Sequence, residues 1–151
     1  MKIQRVKLQM VREPSAIYTA ESITSPADIV ALVNKYEQYD LSPTEKLILI
    51  GLNSKNRVNV YTEIATGAEN YTIFSMSNIF QTLMLSNSDK FILAHNHPSG
   101  DPTPSKEDMK TTSKVEAAAS IMGLTLLDHI IISGDNYTSI AQIRSQGRKS
   151  K

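Results

Sequence analysis

The sequence predicts an α/β domain built on a mixed β-sheet flanked by helices. Short apolar runs of strand length alternate along the chain with segments of helical periodicity. The helices open on capping residues, and the strands end in turn residues. Strands placed between helices in this way call for helices on both faces of one sheet. A chain of 151 residues suits one domain around one core. We expect residues 1–151 to form it, with the packed part at about 25–142, a basic N-terminal strand or arm before it and a frayed tail after it.

Ser25-Pro26-Ala27-Asp28 reads as a helix start, with Ser as N-cap, Pro in the first turn and an acid three residues past the cap. Ile29, Leu32, Val33 and Tyr36 then recur at helical spacing. Glu45 to Leu52 reads as a buried strand, and Asn53 to Asn56 as a turn. Arg57 to Ala65 is the returning strand of a hairpin, because Val58, Val60, Thr62 and Ile64 alternate. Met76 to Leu85 carries a helical stripe of Ile79, Phe80, Leu83 and Met84. Phe91 to Ala94 is a short buried strand that runs into a loop rich in proline and glycine, His97 to Pro104. A helix from about Lys106 to Met122 ends at Gly123. Leu124 to Ile132 is a strongly apolar strand, and Gly134-Asp135-Asn136 turns the chain into Tyr137 to Ile140. The tail after Gln142 is expected to fray.

Composition removes several classes of function. There is no cysteine, which excludes disulfides, thiolate nucleophiles and cysteine-ligated zinc, the zinc deaminases among them. Any metal must sit on His, Asp or Glu. The net charge of +1 is too balanced to predict a nucleic-acid partner by itself. Basic residues do collect at the ends, at Lys2, Arg5, Lys7 and Arg12 and at Arg144, Arg148, Lys149 and Lys151. Such ends suit solvated tails first and phosphate contacts second. No stretch approaches the roughly 20 apolar residues of a membrane span. The opening residues hold no apolar secretory core, so the expected compartment is the cytoplasm.

The informative stretch is His95-Asn96-His97-Pro98-Ser99-Gly100-Asp101-Pro102-Thr103-Pro104-Ser105-Lys106-Glu107-Asp108. In a strand, alternate side chains share a face, so His95 and His97 point the same way and Asn96 points away. Two imidazoles side by side at a strand end are a natural pair of zinc ligands. The proline-rich loop lets the chain turn, and the first turn of the next helix can bring Asp108 back to the pair. Ser105-x-x-Asp108 also reads as a helix capping box, as Ser25-x-x-Asp28 does. Three protein ligands leave a fourth tetrahedral position open, the mark of a catalytic rather than a structural zinc.

His95-x-His97, seven residues, then Ser105-x-x-Asp108 resembles the JAMM motif of the JAB/MPN metalloprotease family. The longer string HNHPSGDPTPS, with LLDHIII at Leu126 to Ile132, resembles its bacterial RadC-type branch. The likeness covers roughly Glu45 to Ile140. It implies a three-layer sandwich of the cytidine-deaminase-like kind and a Zn2+ cofactor held by His95, His97 and Asp108. It also implies cleavage of a peptide or isopeptide amide. Ser105 would hydrogen-bond the oxyanion or the activated water. An upstream glutamate would shuttle the proton. Glu63 in YTEIATG matches that role best, ahead of the Gly67 turn, and Glu69 is the alternative if the register slips. Two departures weaken any link to DNA: there is no room for the helix-hairpin-helix segment often found in that branch, and Met76 to Phe80 replaces a stretch that usually contains Pro-Arg. The competing expectation is a DNA-repair-associated binding module with a structural or vestigial metal site.

Asp128-His129 lies inside an apolar strand, so its two side chains face opposite ways. For Asp128 a place in the core, or a hydrogen bond to a ligand histidine from behind, is expected ahead of ligation. The letters His-Asn-His do not make an HNH nuclease, since Asn96 faces away. Ser99 has no free base at triad spacing. Tyr71, Phe74, Phe80 and Phe91 are too scattered for a stacking platform.

Overall fold

The computed structural model describes residues 22–37, 43–67 and 75–149. The predicted N-terminal arm lies outside them, as do Glu69, Tyr71, Phe74 and Lys151. The elements run α1 (Pro26–Tyr36), β1 (Lys46–Leu52), β2 (Val58–Thr66), α2 (Met76–Leu85), β3 (Lys90–Asn96), α3 (Lys106–Ile121), β4 (Thr125–Ser133), β5 (Asn136–Ser139) and α4 (Ile140–Lys149). The five strands form one sheet in the order β2-β1-β3-β4-β5. Only β3 and β4 are parallel, and α3 makes the crossover between them. The mixed α/β class expected from the sequence is the one observed.

The helices close both faces. Ile48, Ile50, Leu52, Ile92, Ala94, Ile130 and Ile132 meet Ile29, Val30, Leu32 and Val33 of α1. On the other face, Leu47, Leu49, Phe91 and Leu93 meet Ile79 and Leu83 of α2 and Val115 and Ala119 of α3. β1 and β3 are therefore buried on both sides, which is why they read as continuous apolar runs rather than alternating ones. α1 starts where its capping box predicts. The Ser25 N–H donates to Asp28 Oδ2 at 2.8 Å and the Asp28 N–H to Ser25 Oγ at 3.4 Å.

Two elements depart from the sequence reading. The strand expected at Phe91 to Ala94 continues through His95 and Asn96, because β1 goes on pairing with it at His95 and β4 at both residues. The tail expected to fray after Gln142 is a helix. Ser139 caps it, with Oγ accepting from the Gln142 N–H at 3.1 Å, and Asp128 Oδ1 accepts from the Ala141 N–H at 3.0 Å. Arg144 then ties α4 to α3, reaching Glu116 Oε2 and Ser113 Oγ at 2.8 Å each. These partners are remote in sequence, so the mostly polar segment shows little helical signal of its own.

Gly51 marks the tightest approach of sheet and helix. A Cβ there would lie 2.5 Å from Ser88 Oγ, 2.7 Å from Val60 Cγ1 and 3.1 Å from Leu83 Cδ2. The Val60 methyl sits on a side chain stiff at χ1, and Ser88 Oγ is held by Ser86 Oγ at 2.8 Å. Gly51→Ala should therefore lower stability by about 1–3 kcal/mol through overpacking. A urea titration should show this as a fall in the unfolding midpoint with an unchanged slope.

Candidate metal centre

The site forms where the C-terminal end of β3 meets the N-terminal end of α3. The pairing that carries β3 to its end sets His95 beside Leu47 of β1 and Ile131 of β4. Alternation then puts the His95 and His97 rings on the face that α3 covers, with centroids 4.8 Å apart. The backbone of His97 remains fixed past the strand end: its N–H donates to the Ile132 carbonyl at 2.9 Å, and Ser133 Oγ donates to its carbonyl at 3.1 Å. The proline-rich loop turns at once, with the Gly100 N–H reaching the His97 carbonyl at 3.2 Å. Gly100 takes φ +89°, a left-handed conformation that costs an ordinary side chain strain. Asp101 then folds back so that its carbonyl accepts from His97 Nδ1 at 2.8 Å.

Ser105 and Asp108 do form a capping box. The Ser105 N–H donates to Asp108 Oδ2 at 2.7 Å and the Asp108 N–H to Ser105 Oγ at 3.1 Å. That same box aims the Asp108 carboxylate at the histidines. Oδ1 lies 3.5 Å from His95 Nε2, Oδ2 lies 3.6 Å from His97 Nε2, and the two Nε2 atoms are 2.9 Å apart. One ligand atom from each of His95, His97 and Asp108 falls within 4.8 Å of the others, so the group could hold a metal ion.

The donor set fits a small divalent cation. Tetrahedral bonds of about 2.0–2.1 Å set ligand atoms about 3.3 Å apart, within the spread observed here. His97 must carry its proton on Nδ1 to donate to the Asp101 carbonyl, which leaves its Nε2 a lone-pair donor. His95 and Asp108 are almost fully buried. Burial and the neighbouring His129 hold the His95 pKa well below the usual imidazole value, against the charge of Asp108. His97 is shifted upward, chiefly by its hydrogen bond with Asp108, with the charge of Glu45 adding to the effect. Burial pushes Asp108 up, but hydrogen bonds with His97 and Ser105 and the charge of His95 outweigh it, so its carboxyl stays far below the ordinary range.

Of the residues singled out in the sequence, the structure brings His95, His97, Ser105 and Asp108 together. It does not bring Glu63 to them. Glu63 pairs with Ile48 across the β1–β2 ladder, on the face that α1 covers, and its carboxylate meets Lys46 Nζ at 3.5 Å and the Thr66 hydroxyl. A bulge between Leu47 and Ile48 sets that register, and local sequence does not reveal it. Glu45 is the acid on the correct face. The β1–β3 pairing ends at Leu47 and His95; carried on by two residues along each chain, the same alternation brings Glu45 towards His97, on which its charge acts. Its place is fixed by Asn96, whose Oδ1 accepts from the Lys46 N–H at 2.7 Å and whose Nδ2 donates to the Thr44 carbonyl at 3.1 Å. Counting by twos back from Leu47 would have found it.

Of the two roles open to Asp128, the buried structural one is observed: its carboxylate serves Ser139 and the Ala141 N–H at the start of α4, and the His129 N–H within β4. Its neighbour His129 is the residue that reaches in, with Nε2 2.8 Å from His95 Nδ1.

An α/β domain with a His-His-Asp cradle between a strand end and a helix start is the class that this fold and site define. A family model described as "RadC-like JAB domain" matches residues 23–147. A UPF0758 protein of Clostridium botulinum (strain Alaska E43 / Type E3) is 42% identical over 120 residues, 80% of this chain and 52% of its own length. UPF0758 proteins of Staphylococcus epidermidis and Methanosarcina acetivorans are 38% and 36% identical over similar shares of each chain. The chain belongs to the RadC-like JAB domain family, and it spans about half the length of the curated relatives it matches. Among the described residues, no helix is long and apolar enough to cross a membrane.

Metal analysis of the purified protein should find one divalent metal ion per chain, and none in the His95→Ala/His97→Ala variant. Excess zinc should raise the melting temperature of the wild type, because an ion bound only by the folded state stabilises it. The double variant should show no such rise. Ser105→Ala should instead keep the ion and lose about 1 kcal/mol of stability with its cap.

Proposed function

We propose that this chain is a zinc-dependent hydrolase of the JAMM type that cleaves a peptide or isopeptide amide. The observation that carries the reading is the convergence of two imidazole nitrogens and a carboxylate on one point, with the charge of Glu45 close enough to act on His97. When bound, the ion would lower the pKa of a water and polarise the substrate carbonyl. Glu45 is a half-buried acid beside that point. Its carboxylate takes the proton of the attacking water as the C–O bond forms, then hands it to the leaving nitrogen as the C–N bond breaks. Ser105 Oγ already accepts from the Asp108 N–H, so its own proton is available to donate to the developing oxyanion. His97 keeps its Nδ1 proton on the Asp101 carbonyl throughout and takes no part in the transfer.

Asn96 acts from the other face of β3. By gripping the backbone on both sides of Glu45, it keeps the base in register with the ligands. The rival reading, a DNA-associated module, draws on the basic ends. Arg144, the first of the C-terminal basic residues, is engaged with Glu116 and Ser113.

Glu45→Gln should keep one zinc per chain and lose at least 100-fold in turnover of a peptide or isopeptide-linked substrate, as removal of a general base does. Glu63→Gln should leave both unchanged. Retained turnover in Glu45→Gln together with loss in Glu63→Gln would return the base to β2.

A further inference from the structure

We propose that His129 and Thr112 are positioning residues for the metal centre: a one-way hydrogen-bond chain that fixes His95 with its proton on Nδ1 and its Nε2 lone pair aimed at the cation point. The inference rests on the metal reading above, but the direction of the chain is derived independently of it.

Four polar groups lie in series. His95 Nδ1 is 2.8 Å from His129 Nε2, His129 Nδ1 is 2.7 Å from Thr112 Oγ1, and Thr112 Oγ1 is 2.6 Å from the Asp108 carbonyl. The last group decides all the others. A carbonyl oxygen only accepts, so the single Thr112 proton is spent on it. Thr112 Oγ1 must then accept from His129, which places the His129 proton on Nδ1. His129 Nε2 is left as an acceptor, so His95 Nδ1 must donate to it. The tautomer of His95 is thereby set from a distance. Without the chain, a neutral imidazole could carry its proton on Nε2 and present an N–H to the ion.

The setting leaves little room for an alternative. His95, Thr112 and His129 are all buried, so solvent does not compete for these groups. The His95 and His129 rings are 4.8 Å apart at centroids and tilted by 57°, an edge-on arrangement compatible with an in-plane hydrogen bond. The chain also has a mechanical consequence. It begins at a ligand on β3, passes through β4 and ends on the backbone of Asp108, the ligand on α3. Two ligands from different elements are thus connected behind the site as well as in front of it. Partners of this kind typically contribute 10–100-fold in metal affinity.

The test reads tautomers and affinity separately. Long-range proton–nitrogen NMR spectra of the chelator-treated full chain should show His95 and His129 both carrying the proton on Nδ1. In Thr112→Val, His95 should become a mixture of tautomers, and zinc affinity measured by competition with a chromophoric chelator should fall 10–100-fold. Thr112→Ser keeps the hydroxyl and should restore both readouts. A wild-type His95 protonated on Nε2 would overturn the proposal even if no variant folds. So would a Thr112→Val protein with unchanged tautomer and affinity. His95 held in the Nδ1–H form in a chain that takes up no zinc would overturn the metal reading while the direction of the chain stood.

Discussion

The site depends on the pleat of three residues at the end of β3. Because β3 is paired with β1 as far as His95 and with β4 as far as Asn96, and the His97 N–H is held by the Ile132 carbonyl, these three residues cannot rotate freely, and their side chains must alternate. Two imidazoles go to the α3 face, and the amide goes to the α1 face. The amide is used there rather than left over. It grips the chain around Glu45, so one short stretch of strand positions both histidines and the acid proposed as base. A slip of one residue in the β1–β3 register would turn the histidines into the α1 core and expose the amide to α3.

Asp108 performs two tasks that look like competing explanations when read from sequence. As the third residue of α3 it closes the capping box with Ser105, and a helix N-terminus favours a carboxylate there in any case. That geometry leaves the carboxylate facing β3 rather than solvent. The hydrogen bond from the Ser105 N–H limits its rotation, so its oxygens are held near the two Nε2 atoms without a separate device. Capping prepares ligation, and the same Ser-x-x-Asp box at Ser25 shows what the device does alone: it starts α1 with no histidine near it among the described residues.

Local pattern carried most of the architecture. The capping boxes, the proline-rich loop, the apolar strands and the His-x-His spacing all act within a few residues, and each led to its element or to the His-His-Asp group. Three features were not legible, for one common reason. Glu63 was favoured, with Glu69 as its alternative, because its neighbourhood resembles a motif, yet the face it takes depends on a bulge between two strands. Of the pair Asp128-His129 only Asp128 was weighed for a supporting role; strand alternation separates the two, and which one enters the site depends on how β4 lies against β3 and α3. α4 is held by Asp128 and by Arg144 on Glu116, contacts to remote parts of the chain. In each case the deciding term is an inter-element register, which a single sequence encodes only globally.

The arrangement has an electrostatic consequence that bears on function. His97 Nδ1 is committed to a carbonyl, and the direction inferred for the buried chain commits His95 Nδ1 as well. The two Nε2 lone pairs then face each other at 2.9 Å, with carboxylate oxygens at 3.5 and 3.6 Å. Three electron-rich groups packed so closely in a buried setting repel one another unless a positive charge lies between them. A proton can supply it, and the upward shift of His97 reflects that demand. A divalent ion supplies it more completely, since it engages both nitrogens and the carboxylate at once. A fold that needed only stability would place apolar side chains here, because buried charged groups seldom improve on well-packed hydrophobic ones. The hydrogen bonds that instead turn both imidazole Nδ1 donors away from the centre, and the Nε2 lone pairs toward it, are what a site able to bind a cation requires.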